Sequence, residues 1–381
     1  MSVSDVLCFS QLRWGFVFQR PNHLMSRCAR QQRVFFIEEP VFDAPSAHLA
    51  IEPVLPRLLR VTPHLAPSPL EQNEREVSRL LIQLCRSYDV TCPIHWYYTP
   101  MMLGVSAGLP CRAVVYDCMD ELANFLHAPP ELKTRERRLL ERADVVFTGG
   151  RSLYEAKAGL HRNLHAVPSS VEFEHFARAR AGLTDPPDQA SCSRPRIGYC
   201  GVIDERIDTE LLDFVARTRP DWQIMLVGPV VKIPESVLPR RDNIHYLGLK
   251  SYAELPAYLS GWDAAIMPFA RNDATRFISP TKTLEYLAAG RPVVSTPIRD
   301  VVEPYGRLGL VQIAADGDPF VAALERALVE RSTELDTRRD TFLAATSWDA
   351  TWTKMQQLLA EAMSARASGL NLNRVASLAH V

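Results

Sequence analysis

Ser279-Pro280-Thr281-Lys282-Thr283-Leu284-Glu285-Tyr286-Leu287-Ala288-Ala289-Gly290-Arg291-Pro292-Val293-Val294 reads as a loop, a short helix, a tight stop and a buried strand. Ser279 suits an N-cap, and Pro280 suits the first helical position, where a missing N–H costs nothing. Gly290 fits the left-handed residue after the last turn, and Pro292 prevents continuation. Leu284, Leu287 and Ala288 recur at helical spacing and are expected to face a core. Lys282 and Glu285 share a different face, one turn long. The first amides, at Thr281, Lys282 and Thr283, would leave the helix start receptive to an anion, and Lys282 adds a full charge there. Glu285 is acceptor-only when ionised, which suits the vicinal hydroxyls of a ribose. Phosphate at the tip with ribose one turn down is a nucleotide footprint; an i,i+3 ion pair on a solvated face is the plain alternative.

Outward from this stretch, the alternation of strands and helices covers most of the 381 residues. That length favours two domains. Strands are expected at 3–9, 33–38, 94–98, 113–117, 144–148 and 164–167, with helices at 74–87, 131–142 and 151–160. A further helix runs from the loop at 10–23 to about Arg30. Residues 40–72 are proline-rich and weakly periodic, which suggests a surface excursion. Residues 178–194 have linker composition. The alternation then restarts, with strands near 195–200, 222–228, 243–247, 263–267 and 292–296. Helices near 208–218, 252–260, 281–289 and 318–332 lie between them. Such alternation argues for parallel sheets covered on both faces. A last amphipathic helix starts at Ser347-Trp348-Asp349-Ala350-Thr351-Trp352, and the tail after about Ala367 reads as loosely ordered.

Candidate ligand residues fall on loops after strands, where α/β sheets hold ligands. Trp14, Gly15, Arg20 and His23 follow the first strand; Arg20 could instead cap a turn, and His23 could simply be buried. Asp117 and Asp120, in Tyr116-Asp117-Cys118-Met119-Asp120-Glu121, offer a base or sugar contacts, or else cap the next turn. Gly201 permits close approach, and Arg206 could reach a phosphate bidentately or pair with Asp204 or Asp208. Gly228, Arg271 and Asn272 point towards the same rim. Asp316-Gly317-Asp318 looks metal-binding but precedes a helix, with Asp318 a natural N-cap. His161 and His165 lack a third ligand. No metal site and no cofactor are expected.

Composition narrows the class. Hydrophobic residues at 47%, charged residues at 23% and a net charge of -1 describe a globular chain with no global attraction to nucleic acid or acidic membrane. No apolar run approaches the ~20 residues a spanning helix needs. Met1-Ser2-Val3-Ser4-Asp5 lacks the features of a signal peptide. The eight cysteines contain no Cys-x-x-Cys pair. A reducing cytoplasm is therefore expected.

Taken together, Trp14 to His23, Tyr116 to Glu121, Gly201 to Asp208, Ser279 to Val294 and Ser347 to Trp352 resemble a GT-B glycosyltransferase. The nearest likeness is to the family 4-like sugar transferases of bacterial cell-surface polysaccharide assembly. The resemblance implies an α/β fold of two doubly wound Rossmann-like domains facing each other across a cleft. These would be an acceptor domain at 1–178, a linker at 179–194 and a donor domain at 195–346. A helix at 347–366 would cross back to the first domain, followed by a tail at 367–381. It implies that Glu285 holds the donor ribose and that Ser279, Pro280, Thr281, Lys282 and Thr283 hold the diphosphate with Arg206. Leu249, in Leu247-Gly248-Leu249-Lys250, would line the platform for the base. Arg206 and Lys282, with Asp117 or Asp120, become the catalytic candidates, and Trp14, Gly15, Arg20 and His23 the acceptor-side ones. The implied reaction is metal-independent, retaining transfer from a nucleotide-sugar, UDP by family analogy, to a glycan or lipid-linked acceptor. A lipid-linked acceptor would bring the protein to the inner membrane surface. Two departures stand out: Phe277 occupies the position of the family's first Glu, and Tyr116-Asp117-Cys118 stands where a His is usual. A nucleotide-sugar epimerase on the same fold, or a non-catalytic binding relative, are the alternatives.

Overall fold

Short apolar runs closed by Gly, Pro or an acid, each followed by helical spacing, become strands of two sheets in the computed structural model, which describes residues 4–330 and 332–368. The chain divides into two units. One comprises Met1–Ala123, His127–Pro168 and Asp349–Val381; the other comprises Asn124–Leu126 and Ser169–Trp348. The expectation of a loose tail lies mostly outside the described residues, as do Met1 to Val3.

The first unit's strands are β1 (Val6–Ser10), β2 (Val34–Glu38), β3 (His48–Leu55), β4 (Leu58–His64), β5 (Ile94–Tyr97), β6 (Ala113–Cys118), β7 (Val145–Thr148) and β8 (Leu164–Ala166). They lie in the order β3-β4-β2-β1-β5-β6-β7-β8. All neighbours are parallel except the hairpin β3–β4. β1, β2, β5, β6 and β7 are buried along their whole length, as strands covered on both faces should be. The chain winds one way from β1 to β2 and the other way from β1 to β5, so the switch point of this sheet is at the end of β1.

That hairpin corrects the reading of 40–72 as an excursion. Pro53 is tolerated because β3 is an edge strand, half exposed along its length, and Pro63 because it lies past the last β4–β2 pair at Val61. The next helix begins at Leu70 rather than residue 74.

The second unit holds β9 (Arg196–Cys200), β10 (Gln223–Val227), β11 (Ile244–Gly248), β12 (Ala264–Met267), β13 (Val293–Ser295) and β14 (Gln312–Ile313). Their order is β11-β10-β9-β12-β13-β14, all parallel. β9 and β12 are therefore the two sides of this sheet's switch point. Gly198 is required inside β9 because a Cβ there would lie 1.9 Å from the ring of the fully buried Trp262.

Residues 178–194 are not an unstructured linker. Gln189 is fully buried and binds the Trp262 indole at 2.9 Å, Arg196 pairs with Asp185 at 2.6 Å, and Arg180 pairs with Asp340 at 2.8 Å. β14 and the helix Thr333–Ala344 were not anticipated. The strand has two residues and the helix only Leu343 buried, so neither carries a periodic signal.

The final helix, Trp348–Ala367, packs within the first unit from Asp349 onward. Asp349 pairs with Arg27 at 3.1 Å and Arg30 at 2.5 Å, Trp352 lies 5.7 Å from Trp96, and Arg366 reaches Asp144 at 2.6 Å.

Candidate functional site

At the end of β9, Gly201 adopts φ +152°, and its N–H donates to Val227 O at 2.8 Å. At the end of β10, Gly228 adopts φ +145° and donates to Gly248 O at 2.9 Å. Both conformations are costly for any residue with a Cβ, and there is no room for one. A Cβ on Gly228 would lie 2.0 Å from Gly201 O, and one on Gly201 would lie 1.9 Å from Lys282 Cε. The aliphatic stem of Lys282 thus crosses directly over the glycine that ends β9. Its ammonium stands 5.7 Å from the Tyr199 ring centroid, and the Tyr199 hydroxyl is fixed by donating to Val202 O at 2.9 Å.

Lys282 opens the helix Lys282–Ala288, which follows β12. The switch point therefore brings Gly201, from the loop after β9, against Lys282, from the crossover after β12. The helix starts two residues later than the sequence suggests. Thr281 is the cap position with helical dihedrals and no side-chain cap, so Ser279 and Pro280 lie in the approach loop rather than capping. Nor is the Thr283 amide free: it donates to Pro280 O at 3.3 Å, while its buried hydroxyl faces Met267 Sδ at 3.4 Å. Thr283 is thus a core residue. With seven residues the helix has a weak dipole, and the positive character of the spot comes from Lys282 and Arg206.

Electrostatics make this spot unusual in the fold. Lys282 and Glu285 are one turn apart, yet no ion pair of 4 Å or less joins them, and the Glu285 carboxylate makes no hydrogen bond to a described residue. Both side chains are densely surrounded although each keeps a strip of surface. Burial pushes the Glu285 carboxyl up to about 7, and nearby Lys282 opposes this without cancelling it. Burial, then the neighbouring Arg206 charge, lowers the Lys282 ammonium below its ordinary value, against the pull of Glu285. Two desolvated ionisable groups with unspent hydrogen-bonding capacity mark this spot as the candidate site, a cation at one point and, when ionised, an acceptor one turn on.

Arg206 is held rather than free. Its guanidinium bonds the buried Asp204 at 2.6, 2.9 and 3.1 Å, and it stands 5.3 Å over Phe125, which belongs to this unit. Asp208 caps the next helix at Leu211 N, 2.8 Å. The remaining donor-side candidates are spread out. Arg271 is exposed and 3.7 Å from Asp316. Asn272 caps its own turn through Thr275 and donates to Glu205 O at 2.8 Å. Leu249, beyond Gly248, is 49% exposed. Phe277 packs against its neighbour Arg276. Asp318 is the first helical residue behind the cap Gly317, not the cap itself.

In the first unit, Arg20 and Asp117 do meet, but as a wholly buried pair at 2.9 Å. Arg20 also donates to Val167 O at 2.8 Å and approaches Met355 Sδ at 4.0 Å. Neither is available as an open anion contact or a solvent-reaching base, because each consumes the other. Desolvation raises the Asp117 carboxyl despite Arg20, and Tyr98 and Trp96 support the ionised form. His23 is buried edge-on to Phe18 at 4.7 Å. Trp14 is fixed by Glu38, which accepts its N–H at 2.8 Å, and stacks edge-on to Phe36 at 5.0 Å. Gly15 is exposed, with only Arg60 at ordinary contact distance, so nothing there requires glycine. Asp120 stays partly exposed, and its backbone O accepts from Cys118 at 3.5 Å. His161 and His165 spend ring nitrogens on Ala143 O and Asn163. Among the described residues no group of three or more His, Cys, Asp or Glu is disposed to hold a metal.

Tyr199 and Tyr286 went unrecognised as parts of the site. Tyr286 had a signal, since it lies i+4 from Lys282 on the same short helix; Tyr199, inside a strand, had none.

Comparisons with known proteins bear on the family and the fold. Residues 194–330 match the family described as Glycosyl transferases group 1, a stretch that holds Gly201, Arg206, Lys282 and Glu285. A Bacillus subtilis (strain 168) protein provisionally named teichuronic acid biosynthesis glycosyltransferase TuaH is 27% identical over 265 residues. That alignment covers 63% of this chain and 64% of the relative, so the chain spans somewhat under two thirds of it. Sucrose-phosphate synthase from Thermosynechococcus elongatus superposes with a TM-score of 0.71 at 15% identity, covering 95% of this chain and 100% of that one. A UDP-forming α,α-trehalose-phosphate synthase from Burkholderia xenovorans gives 0.66 at 14%, covering 94% and 99%. The fold is thus that of the GT-B glycosyltransferases, and the stretch similar to the group 1 family lies in the second unit.

Proposed function

We propose that the protein is a glycosyltransferase that moves a sugar from a nucleoside-diphosphate donor to a hydroxyl of a growing cell-surface glycan or glycolipid. The observation that carries this reading is the unpaired Lys282 and Glu285 beside Gly201 at the second sheet's switch point. The group 1 match over the same residues supports it. Lys282 receives the diphosphate over Gly201, with Arg206 held close by Asp204, and Glu285 accepts from the ribose hydroxyls. In the reaction the bond from the anomeric carbon to the diphosphate oxygen breaks, and its electron pair leaves with the diphosphate. The acceptor oxygen bonds to that carbon and gives up its proton. Negative charge accumulates on the leaving group, where Lys282 and Arg206 stabilise it most.

UDP is the proposed nucleotide, in keeping with the UDP-forming relative. The acceptor class follows the relative named for teichuronic acid biosynthesis. Retention at the anomeric carbon and independence of metal belong to the same proposal, as does action in the cytoplasm with contact at the inner membrane surface. No helix among the described residues is long and apolar enough to cross a membrane. Asp117, locked by Arg20, takes no part in the proton transfer proposed here.

The test is incubation of the purified chain with UDP-, GDP- and ADP-sugars, with and without a glycan acceptor. Release of nucleoside diphosphate that accelerates with acceptor supports transfer. A modified nucleotide-sugar made without acceptor would mean epimerisation. Phe277 favours a second reading, a binder without turnover; binding of donor with no release under any condition would establish that instead.

A further inference from the structure

Tyr286 follows Glu285 in the helix Lys282–Ala288 and is fully buried. Its hydroxyl accepts from Cys200 N–H at 2.7 Å and donates to Cys200 C=O at 3.3 Å. A single hydroxyl therefore holds both backbone groups of the residue that ends β9, one residue before Gly201. The ring itself rests edge-on against Trp262 at 6.0 Å, and Trp262 covers Gly198 earlier in the same strand. Ring packing seats the helix on β9; the hydroxyl sets where the strand's last residue stands relative to it.

Tolerance at this point is small. Lys282 crosses over Gly201 so closely that a Cβ would fall 1.9 Å from its Cε, and Gly201 O leaves 2.0 Å for a Cβ on Gly228. A shift of the Cys200–Gly201 turn by a fraction of an ångström would alter the gap between the Lys282 ammonium and the Gly201 backbone. The ammonium so placed is what a diphosphate would meet.

Resting on the donor-site reading above, we propose that Tyr286 is a positioning residue, whose hydroxyl fixes the Cys200–Gly201 turn against the Lys282 helix and so shapes the diphosphate seat. It touches no substrate and acts through Gly201 and Lys282. Phenylalanine would fill the same core volume and leave both Cys200 groups without their partner.

The experiment compares the full chain with Tyr286→Phe, titrating UDP, GDP and ADP by calorimetry and following hydrogen exchange across residues 199–203. Tyr286→Phe is expected to keep the native circular dichroism spectrum. Its affinity for the nucleotide that the unmodified protein binds should fall ~10-fold, the effect of one lost hydrogen bond. Nucleotide should slow exchange at Cys200 and Gly201 in the unmodified protein and much less in the variant, a signature that a purely structural hydroxyl would not give. Unchanged affinity and unchanged exchange protection overturn the proposal. So does loss of the native spectrum, which would make the hydroxyl a pillar of the core. If the unmodified protein binds none of the three nucleotides, the donor-site reading itself fails and takes this role with it; binding that survives Tyr286→Phe removes the role of Tyr286 alone.

Discussion

Glu285 is held in its neutral form by burial until the pH reaches about 7. An unfolded chain would ionise it near the ordinary value of 4.5. Between those values the folded state binds the extra proton, so this group's contribution to stability declines as pH rises towards 7 and then levels off. Glu285→Gln removes that penalty. The variant's melting temperature should exceed the unmodified protein's by more at pH 8 than at pH 5, in parallel thermal scans. Nucleotide affinity of the unmodified protein should rise as pH passes through about 7, when the carboxylate becomes a pure acceptor, and the Gln variant should be weaker and flat. A site group that costs stability is one retained for binding.

Lys282 belongs to the same bargain. Lys282→Ala should reduce transfer by ~10²–10³, the effect of losing one preorganised charge-stabilising donor. Its far-ultraviolet spectrum should be unchanged, since a desolvated cation is removed rather than a packed core residue. Arg20 behaves oppositely. Arg20→Ala leaves Asp117 buried and unpaired, which should cost about 3–5 kcal/mol of stability, read from denaturant titration. Lys282 and Glu285 were singled out in the sequence because their types and spacing suit a nucleotide or an ion pair, and the structure leaves them without the ion pair. Asp117 and Arg20 looked equally promising there. Nothing local tells that two charges 97 positions apart neutralise one another.

Helices and strands were legible where the burial pattern had room to repeat. β1, β2, β5, β6 and β7 are wholly buried and stand out as apolar runs. The β3–β4 hairpin did not stand out, because its exposed edge and two prolines mimic a loop. The helix Lys282–Ala288 was found but misplaced at its start, since Ser279-Pro280 is a good capping signal that local packing overrides. The final helix, by contrast, contributes side chains that the first unit needs. Ending the chain at residue 348 removes Asp349 from Arg27 and Arg30, Trp352 from Trp96, and Arg366 from Asp144. Such a truncation should lower the melting temperature of the first unit while leaving nucleotide binding by the second within about twofold, since charged and aromatic contacts of this kind act locally.

For the molecule as a whole, each unit builds its own doubly wound sheet, and in each the switch point carries the loop that the sequence marks as ligand-facing. The division into two units could be expected from the restart of the strand–helix alternation. The ordering of residues 178–194 could not, because it depends on partners as distant as Trp262 and Asp340. With Lys282 and Arg206 answering the diphosphate's charge, transfer should proceed in excess EDTA at a rate within about twofold of the untreated enzyme. Strict restoration by a divalent ion would transfer that role to a metal.

The central claim concerns one place: Lys282 over Gly201, with Glu285 a turn further along. A crystal of the protein soaked with UDP tests it most directly. Density should show the diphosphate against Lys282 Nζ at the end of β9, with the ribose hydroxyls on the Glu285 carboxylate. Nucleotide seated anywhere else, with Lys282 and Glu285 untouched, would contradict the account.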